Sequence, residues 1–134
     1  MKKDFKKWHT YKERIHTAVA RPFFHIREIW FCTLGANVGF EQDGVGEDFL
    51  RPIVIVKKFN NEIFLGIPLT KAKKKVRETA EPYYYVFSFI NKIKSAAILS
   101  QIRLIDAKRL VRHIGTISEA NFKDLTKKLK ALFP

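Results

Sequence analysis

The chain is short of the residues that staple or anchor a protein from outside its core. Cys32 is the sole cysteine among 134 residues, so no internal disulfide can form and no multi-cysteine zinc site can be built. A reducing, cytoplasmic compartment suits such a chain. No apolar run reaches the roughly 18 residues that a membrane-crossing helix needs. The opening MKKDFKKWHTYKERIHT is basic but has no apolar segment behind it, which argues against an export signal. Acidic residues are also scarce. Thirteen Asp and Glu stand against 26 Lys and Arg, for a formal net charge of +13 and a pI near 10.0. Such a surface repels cations and attracts polyanions, with nucleic acid first among them. Phosphate loops, GxSxG elbows and GxGxxG turns are all missing. The four histidines, His9, His16, His25 and His113, fall in no HExxH or Cys-His spacing. Neither a metal site nor a cofactor is expected.

What is present is a core. Hydrophobic residues make up 46% of the chain and include 12 Phe, which excludes a disordered basic tail and suits a single domain. Charge is distributed unevenly along it. Residues 1–27 carry eight basic and two acidic side chains, residues 28–50 five acidic and no basic ones, and residues 51–80 eight basic and two acidic. The acidic interval contains LGANVGFEQDGVGED, where Gly35, Gly39, Gly44 and Gly46 break any helix or continuous strand, so it reads as a long loop.

Phe5, Trp8, Ile15 and Val19 form an apolar stripe that predicts an N-terminal helix over residues 4–19, ended by Arg21-Pro22. EIWFCTL, RPIVIVKK, NEIFLGIPLT, YYYVFSFI and SAAILSQIRLI are rich in β-branched and aromatic residues and read as extended segments. Their close spacing leaves no room for repeated crossover helices. It favours an antiparallel sheet curled into a small, mainly β barrel with flanking helices. DAKRLVRHIGTI supplies a short helical turn and a last strand. SEANFKDLTKKLKALFP predicts a helix capped by Ser118, with Phe122, Leu125, Leu129 and Leu132 on its apolar face.

One pair of side chains suggests phosphate chemistry. Arg51 opens a strand beside the glycine-containing loop, and Thr70 ends the next strand in GIPLT. A guanidinium can clamp two phosphoryl oxygens while a hydroxyl donates to a third. Taken alone, Arg-Pro is equally an ordinary strand start and Pro-Leu-Thr an ordinary strand end.

The run REIWFCTLGANVGFEQDGVGEDFLRPIVIVKKFN, then GIPLT, then SAAILSQIRLIDAKRLVRHIGTIS and a terminal amphipathic helix resembles the PemK/MazF family of bacterial toxin endoribonucleases. The resemblance runs from about residue 27 to the end. It implies a small SH3-like β barrel, usually a homodimer, that cleaves single-stranded RNA as an mRNA interferase without a metal. The implied reaction is attack of a ribose 2′-hydroxyl on the adjacent phosphorus, giving a 2′,3′-cyclic phosphate and a 5′-hydroxyl end. The family's catalytic arginine falls on Arg51 and its hydroxyl partner on Thr70. The resemblance also implies a cognate antitoxin that blocks the basic groove. A noncatalytic nucleic-acid-binding or antitoxin-binding homologue on the same barrel is the alternative.

Around the pair, Glu41 and Gln42 stand in the loop beside the expected groove. Gln101 and Arg103, in the LSQIR strand, are candidates for a base edge and a phosphate, or else for rim and surface contacts. Lys57, Lys58 and the run Lys71 to Lys75 read either as RNA-steering charge or as a solvated face. Two features depart from the family pattern: an acidic loop extended through GVGEDFL, and a basic helical extension over residues 1–26 ahead of the barrel domain at 27–134.

Overall fold

A computed structural model describes residues 21–34, 50–72, 81–90 and 93–134. The expected helix over residues 4–19 and the glycine-containing loop lie outside these. Among the described residues, seven strands and one α-helix form in the order β1 (Glu28–Thr33), β2 (Leu50–Lys58), β3 (Ile63–Lys71), β4 (Tyr84–Ile90), β5 (Ile93–Ile98), β6 (Arg103–Asp106), β7 (Leu110–Thr116) and α1 (Glu119–Lys130). All ladders are antiparallel. The hydrogen-bonded path runs β4-β5-β3-β2-β1-β7, with β6 paired to β3. The mainly β antiparallel architecture is the expected one, but among the described residues the path ends at β4 and β7 and does not close into a continuous barrel ladder.

Alternation along β2 explains how so thin a sheet is covered on both faces, because successive side chains of a strand point to opposite sides. Ile53 and Ile55 enter a cluster with Phe24, Trp30, Cys32, Phe64, Ile105 and Leu110. Val54 enters the other, with Ile29, Ile67, Leu69, Phe87, Leu125 and Leu129. The second cluster is roofed by α1, whose Leu125 and Leu129 enter it, while Phe122 and, just past the helix, Leu132 pack against it, as the sequence predicts. Ser118 caps this helix by accepting a hydrogen bond from the Asn121 amide at 3.1 Å. Lys127, Lys128 and Lys130 sit in the last turn, where they complement the helix dipole.

The first cluster reaches back into the expected N-terminal extension. Phe24 is fully buried, its ring tilted against Phe64 at 5.1 Å between centroids. Lys58 donates to the Phe24 carbonyl at 2.9 Å and lies 4.5 Å over the same ring. Arg21 forms a bidentate pair with Asp106 at 3.0 and 3.1 Å.

SAAILSQIRLI is not one strand. It splits into β5 and β6 around a 3-10 helical turn at Leu99–Gln101. Register supplies the reason. Both strands line one edge of β3, with Ala97 opposite Leu69 and Arg103 opposite Gly66. Three steps along β3 are thus matched by six along its partner, and the tight turn absorbs the surplus. Gly66 fits there because a Cβ would meet the Ile105 and Phe64 side chains at 3.0 Å. The tyrosines of YYYVF divide similarly. Tyr83 belongs to a 3-10 turn and is exposed. Tyr85 stacks on Phe87 at 5.9 Å and donates its hydroxyl hydrogen to Asn121 on α1 at 3.0 Å.

Candidate active site

The β2–β3 ladder has its last pair at Ile53 and Pro68. Two residues further along each strand, in the same direction across the ladder, stand Arg51 and Thr70. Each is carried by a different neighbour at this level: Arg51 is paired with Cys32 of β1, and Thr70 with Ala96 of β5. The ladder stops where proline enters both strands, at Pro52 and Pro68. Of the two, Pro52 faces the β2–β3 seam, because the Ala107 and Ala72 amides bond the Glu62 and Lys94 carbonyls and so turn the even-numbered residues of β3, Pro68 among them, toward β5 and β6; Pro52 has no amide hydrogen to contribute there. The sheet therefore splits between β2 and β3, with an arginine on one lip and a threonine on the other.

Side-chain parity places both on one face. Arg51 follows Ile53 and Ile55, while Thr70 follows Phe64, Gly66 and Pro68, on the side of the Phe24 cluster. Arg51 is buried, with 8% of its surface exposed, so its charge is held at the sheet rather than out in solvent. Thr70 is half-buried.

Arg103 shares this face through Ile105, and its charge is felt by Cys32 and by Arg109. Arg109, half-buried in the turn between β6 and β7, donates from Nη1 to the Thr33 carbonyl at 3.2 Å. Burial lowers its pKa, with the like charge of Arg103 acting in the same direction and the Cys32 and Asp106 charges opposing. Burial likewise pushes the Cys32 thiol up to about 12, against the pull of Arg109 and Arg103. Three arginines thus gather around the Cys32 end of β1. The sequence reading does not single out Arg109; its only signal there is its place in KRLVRHIGTIS.

The remaining candidates are distributed more widely. Lys71 follows Thr70 and is exposed. Gln101 is half-buried and lies in the 3-10 turn beside β3 rather than in a strand. Lys57 and Lys58 stand at the opposite end of β2 from Arg51, about 20 Å away at the rise of a strand. Lys58 is engaged with Phe24 as described. Glu41, Gln42 and Lys73 to Lys75 lie outside the described residues.

Two of the histidines share one carboxylate far from the split. His25 Nδ1 lies 3.4 Å and His113 Nε2 lies 4.0 Å from Glu28 Oε2. Burial pushes the Glu28 pKa up, but hydrogen bonds from the Trp30 indole and the His25 amide outweigh it and leave the group below its ordinary value. Among the described residues, no group of three or more His, Cys, Asp and Glu side chains is placed to hold a metal. No described helix is long and apolar enough to cross a membrane.

The fold is that of the MazF toxins. The chain is similar to MazF from Deinococcus radiodurans, with a TM-score of 0.62 at 14% identity over 85% of this chain and 97% of that one. An endoribonuclease from a mycobacterial species, solved in complex with its cognate antitoxin, gives 0.57 at 13% over 84% and 100%. Mycobacterium tuberculosis toxin MazF-mt6 gives 0.56 at 15% over 78% and 94%. Among curated proteins, none matches the chain in sequence. The model of the PemK-like, MazF-like toxins of type II toxin-antitoxin systems matches residues 26–133, and the chain belongs to that family.

Proposed function

We propose that the chain is a toxin endoribonuclease that cleaves single-stranded RNA at the split between β2 and β3. The observation that carries this reading is the placing of Arg51 and Thr70 on facing strands, level with each other, where the ladder opens. Family membership and the net charge of +13 support it.

In the proposed reaction the 2′-oxygen bonds to phosphorus as the bond from phosphorus to the 5′-oxygen breaks. The 2′-hydroxyl proton passes to water and the 5′-oxygen takes one from water, leaving a 2′,3′-cyclic phosphate and a 5′-hydroxyl. Arg51 stabilises the charge that builds on the phosphorane oxygens. A guanidinium is suited to that task because it stays protonated throughout. The Thr70 hydroxyl donates to a phosphoryl oxygen and holds the phosphorus in line. Arg103 and Lys71 hold flanking phosphates, Gln101 meets a base edge, and Glu41 and Gln42 border the groove. No step calls on a metal. A second copy of the chain completes the groove, and a cognate antitoxin in the same cytoplasm fills it with an acidic or apolar segment.

The test is cleavage of a mixed-sequence RNA, with chelator present, by wild type, R51A and T70A, followed by end-group analysis. Cyclic phosphate ends from wild type, and loss of at least about a hundredfold in R51A, support the reading. RNA binding without cleavage of any sequence by wild type overturns it in favour of a noncatalytic module.

A further inference from the structure

A reciprocal hydrogen-bonded clamp lies one strand away from Arg51. The Thr33 hydroxyl donates to the Arg109 carbonyl at 3.0 Å, and Arg109 Nη1 donates back to the Thr33 carbonyl at 3.2 Å. Thr33 is 1% exposed. The two contacts close a ring between the last residue of β1 and the turn that leads into β7.

Position in the sheet gives this ring its significance. Cys32, the neighbour of Thr33, is paired on one side with Leu110, the neighbour of Arg109, and on the other side with Arg51. Thr33 itself is paired with Leu50. The β1–β7 ladder is irregular here, with a register shift between Phe31 and Cys32 that skips Val111. A bulge of this kind weakens the ladder locally, so the end of β1 is held against β7 by bonds from side chain to main chain next to an interruption of the ladder. On its other flank, Arg51 has no ladder pair with β3, since that ladder ends at Ile53. Its backbone is therefore placed by β1, and the end of β1 is placed by the clamp.

We propose that Arg109 is a positioning residue that fixes Arg51 through Thr33 and Cys32, without itself touching RNA. The inference rests on the reading of Arg51 as the charge-stabilising group. Geometry held to a fraction of an ångström governs the rate of an oriented reaction more than the binding of its substrate. Loosening the clamp thus lowers kcat and leaves KM nearly unchanged, whereas losing a phosphate contact raises KM.

The experiment is steady-state cleavage of an end-labelled RNA by Arg109→Met, Arg109→Lys, Thr33→Val and the double variant Arg109→Met/Thr33→Val, with melting temperatures measured on the same samples. Arg51→Ala and Tyr85→Phe serve as references. Arg109→Met is expected to lose roughly tenfold to a hundredfold in kcat with KM within about twofold. Arg109→Lys, which keeps one donor for the Thr33 carbonyl, recovers part of that rate. Thr33→Val loses a smaller factor, and the double variant loses no more than Arg109→Met because both changes break one device. If Arg109→Met does not fold, Arg109→Lys and Thr33→Val carry the same comparison.

Wild-type kcat in the folded Arg109 variants overturns the proposal, as does a rise in KM alone. So does a loss that merely follows melting temperature and recurs in Tyr85→Phe at equal destabilisation. Full activity in Arg51→Ala overturns the underlying reading of Arg51, which separates that failure from failure of the clamp alone.

Discussion

Replacing Phe24 by alanine tests whether the domain begins before the family match at residue 26. The ring is fully buried between β-strand side chains, tilted on Phe64 and covered by the Lys58 ammonium group. A phenylalanine side chain removes about 150–250 Å² from water, which at about 25 cal/mol per Å² is worth about 4–6 kcal/mol as an upper bound. Truncation to alanine in cores costs about 3–5 kcal/mol, and the ring pair and cation contact favour the upper half of that range. Against a total stability of about 5–15 kcal/mol for a domain, a loss near 4 kcal/mol leaves little reserve. Its neighbour Phe23 is 88% exposed, so Phe23→Ala is an internal control with an expected change within about 0.5 kcal/mol. Urea unfolding followed by circular dichroism measures both. At a slope of about 1.5 kcal/mol per molar, Phe24→Ala moves the midpoint down by about 2.7 M with the slope unchanged. A shift equal to that of Phe23→Ala, or a cost below about 1.5 kcal/mol, would refute the placing of Phe24 in the core and return the start of the domain to β1.

Two further outcomes follow from the titratable groups. Cys32 is fully buried with a thiol raised to about 12; native protein at pH 8 therefore resists iodoacetamide over the time in which urea-unfolded protein is fully alkylated, and labelling at the rate of a free thiol would show that this end of β1 is open. The Asp106 carboxyl is held below its ordinary value, chiefly by its hydrogen bonds from Arg21 and against the effect of burial. A lowered folded-state pKa contributes stability that is present above the unfolded value of about 3.9 and is lost as pH falls through the folded value. Asp106→Asn, which still offers an oxygen to the Lys108 amide, therefore shows a smaller acid loss than wild type below about pH 4, and parallel stability curves for the two would exclude the linkage.

The parts of the fold that were readable are those in which local chemistry and burial agree. Ser118, followed by apolar residues at helical spacing, marks α1 because the cap and the buried face are set within one stretch of chain. RPIVIVKK and NEIFLGIPLT are both strands and form a hairpin, so the adjacency of Arg51 and Thr70 follows from two neighbouring segments. The break inside SAAILSQIRLI was not readable, since nothing in its composition differs on either side of Leu99–Gln101. It arises from a mismatch of register against β3, a property of the partner strand. Lys58 looks like any surface lysine, and only the fold brings the Phe24 ring under its ammonium group. Arg109 is similar: its partner Thr33 is 76 positions away, so no window of sequence contains the contact.

Pro52 does more than mark the end of a ladder. Strands that lie side by side tend to zip to their ends, and a zipped β2–β3 hairpin would seal the gap between Arg51 and Thr70 with main-chain hydrogen bonds. Pro52, whose nitrogen faces β3, withholds a tooth at the point where zipping would otherwise continue. The opening in the sheet is thus written in part into the covalent structure of one residue. Pro52→Val would restore a tooth, strengthening the hairpin while narrowing the gap: a gain in stability set directly against access to the two side chains.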